Sequence, residues 1–400
     1  MKISSVRGMG SKVQKIKLVQ VIAEKDAIGG GPKHVLGLLE NIDKDKFETY
    51  LICPRGELSK LVDSRFRGND KTGVKTINVE MSSKFSLGAV LKIKKELAKI
   101  QADHDPFQTM IVHSHGPRGG LLARKALPAG VLSVYTEHIW GPGYHLEDKI
   151  NEWAQKKTLR ALNCRTNLII AVSKAVRNYL VNEKLVPEDR IVVIPNGIDT
   201  KNFQFPISNF QLRKRNYSNQ IIGNIGSLNQ MKGQAYLVAA MDEVVKHYPH
   251  AMLEIVGEGD ERENIEREIK ELGLEKHITL LGRRADVEKI MADWSVFVLP
   301  SIAETFGITI LEAYAVGVPV VASNISGISE LVTNKKTGIL TEPEDTAAIA
   351  ESIIKLLEHP AEAARLARGG KEKVREYEWG KVIKKMEEEY FCLATLNLKS

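Results

Sequence analysis

The sequence predicts an α/β protein made of two successive, doubly wound parallel-sheet domains, and three observations carry that prediction. Short β-branched runs bounded by Gly, Pro or Asn recur along the chain, each followed by a longer stretch of helical periodicity, which is the pattern of βαβ units. This alternation stops after Asn196-Gly197 and restarts at residue 220. The chain has 400 residues, 43% of them apolar, enough to bury a core in each of two domains.

In the first half, the runs 16–23, 48–53, 74–80, 109–114, 131–137, 168–173 and 191–195 are expected as strands, with helices filling the gaps. Residues 63–71 (DSRFRGNDK) are polar and Gly-interrupted and read as an exposed loop with no chemical role. The segment 201–218 holds Pro206 and the basic cluster Arg213, Lys214 and Arg215, lacks periodicity, and reads as the interdomain connection. Strands are expected again at 220–227, 251–257, 277–282, 295–300, 318–323 and 337–341. From Thr346 to Tyr390 the chain is dense in Ala, Glu, Lys and Leu and is expected to be helical, with a break at His359-Pro360. The expected division is 1–200 for an N-terminal Rossmann-like domain, 201–218 for the linker and 219–375 for a C-terminal Rossmann-like domain. Residues 376–400 are expected as a helix returning toward the first domain.

Composition excludes several classes. Charged residues are 27% of the chain and no tract is biased, so neither a disordered nor a collagen-like chain fits. The three cysteines, Cys53, Cys164 and Cys392, match no metal-ligand spacing and are expected as buried thiols in a reducing compartment. Residues 1–11 lack the apolar core of a secretory signal, and no window is long and apolar enough to span a bilayer, so a cytoplasmic location is expected. Residues 1–200 hold 32 basic and 21 acidic side chains, whereas 201–400 hold 25 and 29. A basic half suits nucleic acid, an anionic membrane surface or a phosphorylated substrate, or is merely soluble. With 6% aromatics and no aromatic stripe among the basic residues, single-strand stacking is unsupported and no nucleic-acid partner is expected.

Four motifs are candidates for chemistry. Gly29-Gly30-Gly31 follows the first strand and opens a helix, where glycine allows close approach of a ligand and the helix amides favour an anion; a tight βα turn needs the same residues. Pro300 to Ile308 leaves a strand C-terminus and enters a helix carrying Glu312, eight residues after Glu304. Eight helical residues span about 12 Å, a rough match to two sugar rings joined by a diphosphate. Phe306, Gly307 and Ile308 would present N–H groups to a phosphate, with the two carboxylates accepting from sugar hydroxyls on either side. Glu312 lies in an otherwise largely apolar run, where a buried acid needs a partner.

The third motif, Gly226 to Gly233, brings Ser227 and Lys232 to a strand–helix junction; Lys232 can reach a diphosphate as a point charge, although a lysine there is more often simply solvated. The fourth is a set of histidines at strand ends, His113, His115 and His138. Each is able to donate to a phosphate or position a hydroxyl, or is a satisfied loop histidine, and His138 ranks first.

Together these motifs resemble the retaining glycosyltransferases of family 4, whose GT-B fold sets two Rossmann-like domains across a cleft. The resemblance covers about 16–390 and rests on GGGPKHVLGLLE, VHSHG, AVSKAVRNYL, IPNGID, GSLNQMKG, LEIVGEGDERENIE and the E-x7-E pair of PSIAETFGITILEAYAVGVPVVASNISGISELV, in that order. It implies a nucleotide-diphosphate-sugar donor and an N-terminal domain that binds a glycan or lipid-linked acceptor; the base is not written in the motifs, and UDP-sugars are expected ahead of GDP-mannose. Glu304 would bind donor-sugar hydroxyls and Glu312 the ribose. Lys232 and the amides near Gly307 and Ile308 would hold the diphosphate, with Gly30 and Gly31 closing on it. Gly257, Gly259 and Arg283 would surround the base and adjoining phosphates. His138 matches the family's N-domain active-site histidine, with His115 also on the acceptor side.

Ser227 departs from the family, many of whose members carry arginine there, and loses one charge-assisted bond to the diphosphate. The resemblance implies retention of anomeric configuration and no resident metal. The strings Asp43-Lys44-Asp45 and Asp103-His104-Asp105 fall in expected loops away from the diphosphate site. A nucleotide-sugar 2-epimerase on the same fold and a non-enzymatic nucleotide-sugar-binding module are the competing readings. An isomerised nucleotide sugar formed without acceptor would favour the first.

Overall fold

A computed structural model describes residues 14–66, 73–103, 108–141, 143, 149–163, 165–203 and 220–397. Most of the expected linker, Cys164, residues 67–71 and the extreme N-terminus lie outside the described residues. Strand and helix alternate through the first half as β1 (Ile16–Ile22), α1 (Gly30–Asn41), β2 (Phe47–Cys53), α2 (Glu57–Phe66), β3 (Lys75–Asn78), α3 (Leu87–Ala102), β4 (Met110–His115), α4 (Pro117–Ala126), β5 (Leu132–Glu137), α5 (Lys149–Asn163), β6 (Leu168–Ala171), α6 (Lys174–Asn182) and β7 (Ile191–Val193). The second half continues as β8 (Ile221–Ile225), α7 (Gln234–His247), β9 (Met252–Val256), α8 (Arg262–Glu271), β10 (Ile278–Gly282), α9 (Val287–Ala292), β11 (Val296–Leu299), α10 (Ile308–Val316), β12 (Val320–Ser323), α11 (Ser326–Ser329), β13 (Ile339–Thr341), α12 (Thr346–Glu358), α13 (Pro360–Lys373) and α14 (Trp379–Asn397).

Two sheets result, a seven-stranded one in the order β3-β2-β1-β4-β5-β6-β7 and a six-stranded one in the order β10-β9-β8-β11-β12-β13. The β1 pairings with β2 and β4 and the β11 pairings with β8 and β12 are all parallel. Both orders reverse direction once, between β1 and β4 in one sheet and between β8 and β11 in the other. That doubly wound arrangement leaves a crevice beyond the strand C-termini at each reversal. The strands are buried on both faces, as in Leu18, Val19, Val21 and Ile22 of β1, because helices cover both sides.

Among the described residues, contacts divide the chain into one compact unit of 14–136, 165–168 and 387–397, and another of 137–163 and 169–386. The C-terminal part of α14 thus belongs with the N-terminal sheet. Tyr390 is fully buried there, 5.8 Å from the Phe47 ring, and its hydroxyl meets His113 Nδ1 at 2.6 Å.

Two expectations are corrected. Residues 63–66 continue α2 rather than forming a loop: Leu58 and Val62 bury one helical stripe, and Arg65 on the last turn pairs with Glu40. Cys53 is buried in β2, but Cys392 is exposed on α14, because two residues on from buried Tyr390 is about 200° around the helix. The break expected at His359-Pro360 is present, with Pro360 in the first turn of α13, where a missing N–H costs nothing.

Candidate functional site

In the first unit, the β1–α1 and β4–α4 connections meet the crevice edge, since Ile22 and His115 are paired at the strand ends. Gly29 caps α1 at φ 118°, a conformation open to glycine, and no side chain caps the helix. A Cβ at Gly30 would meet nothing within 4 Å, and one at Gly31 only Ile22 Cδ1 at 3.8 Å. Packing therefore demands glycine at neither position, and the backbone of this helix start is open to a ligand. His115 is fully buried, its Nε2 is 2.6 Å from Gln20 Oε1, and its ring lies 4.2 Å from that of His113.

In the second unit, the loops after β8 and β11 flank the reversal. The β8 loop is anchored from β9: Gly226 N donates to Val256 O (3.0 Å) and Leu228 N to Glu258 O (3.1 Å). A Cβ at Gly257 would lie 1.8 Å from Gly226 O, and one at Gly259 2.1 Å from Leu228 O. These two glycines, which the family resemblance placed around the base, are thus required by backbone contact alone. Gly257 N also donates to Gly282 O (2.9 Å), which fixes the strand end preceding the exposed Arg283.

The β8 loop ends in a 3-10 turn, Gln230–Lys232, capped by Asn229, whose Oδ1 accepts from Lys232 N at 3.2 Å. Gly233 then turns at φ 64°, and a Cβ there would sit 2.2 Å from Pro300 O. From the β11 loop, Ile302 N and Ala303 N both donate to Met231 O, at 2.9 and 3.3 Å. The two loops lock together, and the consequence is an ion pair between Lys232 Nζ and Glu304 Oε2, with the side chains 23% and 12% exposed.

Beyond Glu304 the chain forms the start of α10. Gly307 is its N-cap at φ 86° with no side-chain cap, so the first-turn N–H groups have no acceptor within the helix. Phe306 is buried, edge-on to Tyr377 at 5.8 Å, and Ile308 is half-buried. Glu312, in the second turn, is 2% exposed, a buried carboxylate close behind a helix N-terminus. Ser227 is exposed and its Oγ accepts from Asn229 Nδ2 at 2.9 Å.

Sequence reasoning missed the residues that hold Glu304 and His138 in place. Gly327 of α11 packs on the backbone of Glu304, where a Cβ would be 2.1 Å from Glu304 O. Thr305 Oγ1 donates to His138 O (2.8 Å), while Thr305 O accepts from Ser173 Oγ (2.7 Å). Ser173 caps α6, and Glu330 accepts from Lys174 N and Ala175 N at its first turn. Glu137 Oε1 accepts from Ile139 N and Trp140 N, shaping the turn that bears half-buried His138. The signal was present only as Ser and Gly at strand–helix junctions, which is too common to single out.

The arrangement brings a lysine ammonium, the largely buried carboxylate paired with it, an uncapped helix N-terminus and a second buried carboxylate on that helix to a doubly wound switch point. This is the chemistry of an anionic, hydroxyl-bearing ligand. The family described as "Glycosyl transferases group 1" matches residues 208–373, and "Glycosyltransferase Family 4" matches 28–202. A UDP-Gal:alpha-D-GlcNAc-diphosphoundecaprenol alpha-1,3-galactosyltransferase of Escherichia coli is 27% identical over 87% of this chain and 89% of its own. A glycogen synthase of Mycobacterium tuberculosis is 32% identical over 73% of this chain and 70% of its own. The Anabaena HepE structure in complex with UDP-glucose shares the fold with TM-score 0.75 at 21% identity, covering 94% of this chain and all of that one.

The two Rossmann-like sheets define a GT-B protein. The chain belongs to the group 1 glycosyltransferases of the family 4 type, and so is a glycosyltransferase acting on nucleotide sugars.

Proposed function

We propose that this chain moves a hexosyl unit from a UDP-sugar to an acceptor hydroxyl with retention of anomeric configuration, in the assembly of a cell-surface polysaccharide or glycolipid. The observation that carries the reading is the Lys232–Glu304 pair at the uncapped start of α10. Cleavage of the anomeric C–O bond leaves positive character on carbon and negative charge on the departing diphosphate. Lys232 and the first N–H groups of α10 stabilise that charge, and they act most strongly where it develops. Glu304, released from Lys232 as the diphosphate takes its place, accepts from donor-sugar hydroxyls, and Glu312 accepts from the ribose.

The acceptor oxygen forms the new bond on the face the phosphate leaves, and its proton passes to the phosphate oxygen. No protein nucleophile and no metal enters this step. Gly30, Gly31 and Arg283 are further candidate contacts to the diphosphate and base, and half-buried His138 is the candidate on the acceptor side; His115, expected there too, is fully buried against Gln20 and has no surface to offer an acceptor. UDP is preferred to GDP because the galactosyltransferase relative uses UDP-Gal. The acceptor is read as glycan or lipid-linked because that same relative acts on a diphosphoundecaprenol-linked sugar.

A thermal-shift series over UDP- and GDP-sugars, followed by transfer assays on the wild type and Glu304→Ala, tests the reading. A ligand selective for the native state raises the melting temperature. UDP-sugars should do so and GDP-mannose should not, and Glu304→Ala should retain the fold while losing transfer. Full turnover by that variant would overturn the assignment.

A further inference from the structure

The first unit carries an apolar patch that its core does not use. Helix α3 buries Ala89, Ile93, Leu97 and Ile100, a stripe that joins the hydrophobic core of the sheet. At about 100° per residue, Leu87 and Leu91 fall on the opposite face. They are 77% and 67% exposed, and Phe85, just before the N-cap Ser86, is 78% exposed. Single exposed leucines are ordinary, but three large apolar side chains within a seven-residue stretch form a patch. Ser86 Oγ accepts from Ala89 N at 3.2 Å, so the helix start that presents them is locally capped.

The charges that neighbour this patch along residues 81–95 are all basic. Lys92, Lys94 and Lys95 are exposed and Lys84 is half-buried, and residues 81–95 contain no acid. Lys94 and Lys95 lie within about 60° of Leu91 around the helix, so the same face is apolar at its N-terminal end and basic beyond it. The nearest acid along the helix, Glu96, is paired with Lys99 at 2.8 Å. No described helix is long and apolar enough to cross a membrane.

We propose that this face of α3 docks on an anionic lipid bilayer. Phe85, Leu87 and Leu91 enter the boundary between headgroups and acyl chains while Lys92, Lys94 and Lys95 meet lipid phosphates. Charge selects this occupant: the exposed Lys92, Lys94 and Lys95, with no acid among residues 81–95, complement a surface of lipid phosphates. The purpose of docking, access to a lipid-linked acceptor, rests on the proposed function; the docking itself does not.

The test is co-sedimentation of the full chain with vesicles of equal parts phosphatidylglycerol and phosphatidylcholine, and with vesicles of phosphatidylcholine alone, at low and high salt. The wild type should pellet with anionic vesicles at low salt and be released by salt. Lys92, Lys94 and Lys95 replaced together by Gln should lower the partition coefficient about a hundredfold, and Leu87→Glu with Leu91→Glu should abolish binding. Wild-type protein that stays in the supernatant, variants that bind as well as wild type, or a patch-dependent dimer without vesicle binding would overturn the proposal. Thermal shift by UDP, measured on the same preparations, should be unchanged in every variant. Loss of the UDP response in the wild type with vesicle binding intact would instead sink the transfer reading alone.

Discussion

Removal of the Lys232 ammonium tests what the ion pair is for. In Lys232→Ala a diphosphate ligand loses one charge-assisted hydrogen bond, about 1.5–3 kcal/mol, or about 10- to 150-fold in UDP affinity. A purely structural pair makes a different forecast. The Glu304 carboxylate is only 12% exposed and would be stranded, so the variant would lose stability while a diphosphate held by other groups kept its affinity. Glu304→Gln separates the two, because it keeps the shape of the side chain and removes the charge that competes with UDP for Lys232. UDP binding by calorimetry should then be equal to or tighter than wild type in Glu304→Gln, weaker in Lys232→Ala, and transfer should fall in both. Wild-type UDP affinity in Lys232→Ala, or equal weakening in the two variants, would refute the assignment of Lys232 to the diphosphate.

Two further outcomes follow from the local geometry. Gly233→Ala places a Cβ 2.2 Å from Pro300 O at φ 64° and should lower unfolding stability by about 2 kcal/mol or more; an unchanged urea midpoint would show that the two loops are not locked there. Burial pushes the Cys53 thiol up to about 12, with Asp63 and Glu80 adding to the effect, so at pH 8 it stays protonated and unreactive. Peptide mapping after brief iodoacetamide treatment of the native protein at pH 8 should show Cys392 modified well before Cys53, and the reverse order would contradict the burial of β2.

Much of the architecture was legible because it depends on local periodicity. The run IKLVQVI has to become a buried strand, and Gly307 followed by an apolar stretch has to open a helix, whatever surrounds them. The Glu304 and Glu312 spacing was likewise readable, since eight positions at a strand–helix junction put both acids near one helix start. What escaped notice was the support behind them. Gly257 and Gly259 looked like ligand-facing glycines, yet the structure shows each pressed against the carbonyl of another loop. Thr305, Ser173 and Glu330 could not be singled out because their partners are more than a hundred positions away in the chain.

The amino-acid order alone determined the alternation of strands and helices, the place where it breaks, and the order of motifs that names the family, since each of these is written within a few neighbouring residues. Only the tertiary structure decided that Lys232 meets Glu304, that Cys392 faces outward, and that Leu87 and Leu91 are left over once α3 has packed. Those outcomes depend on which surfaces meet when the chain closes on itself, and a one-dimensional pattern carries no record of the partner's distance.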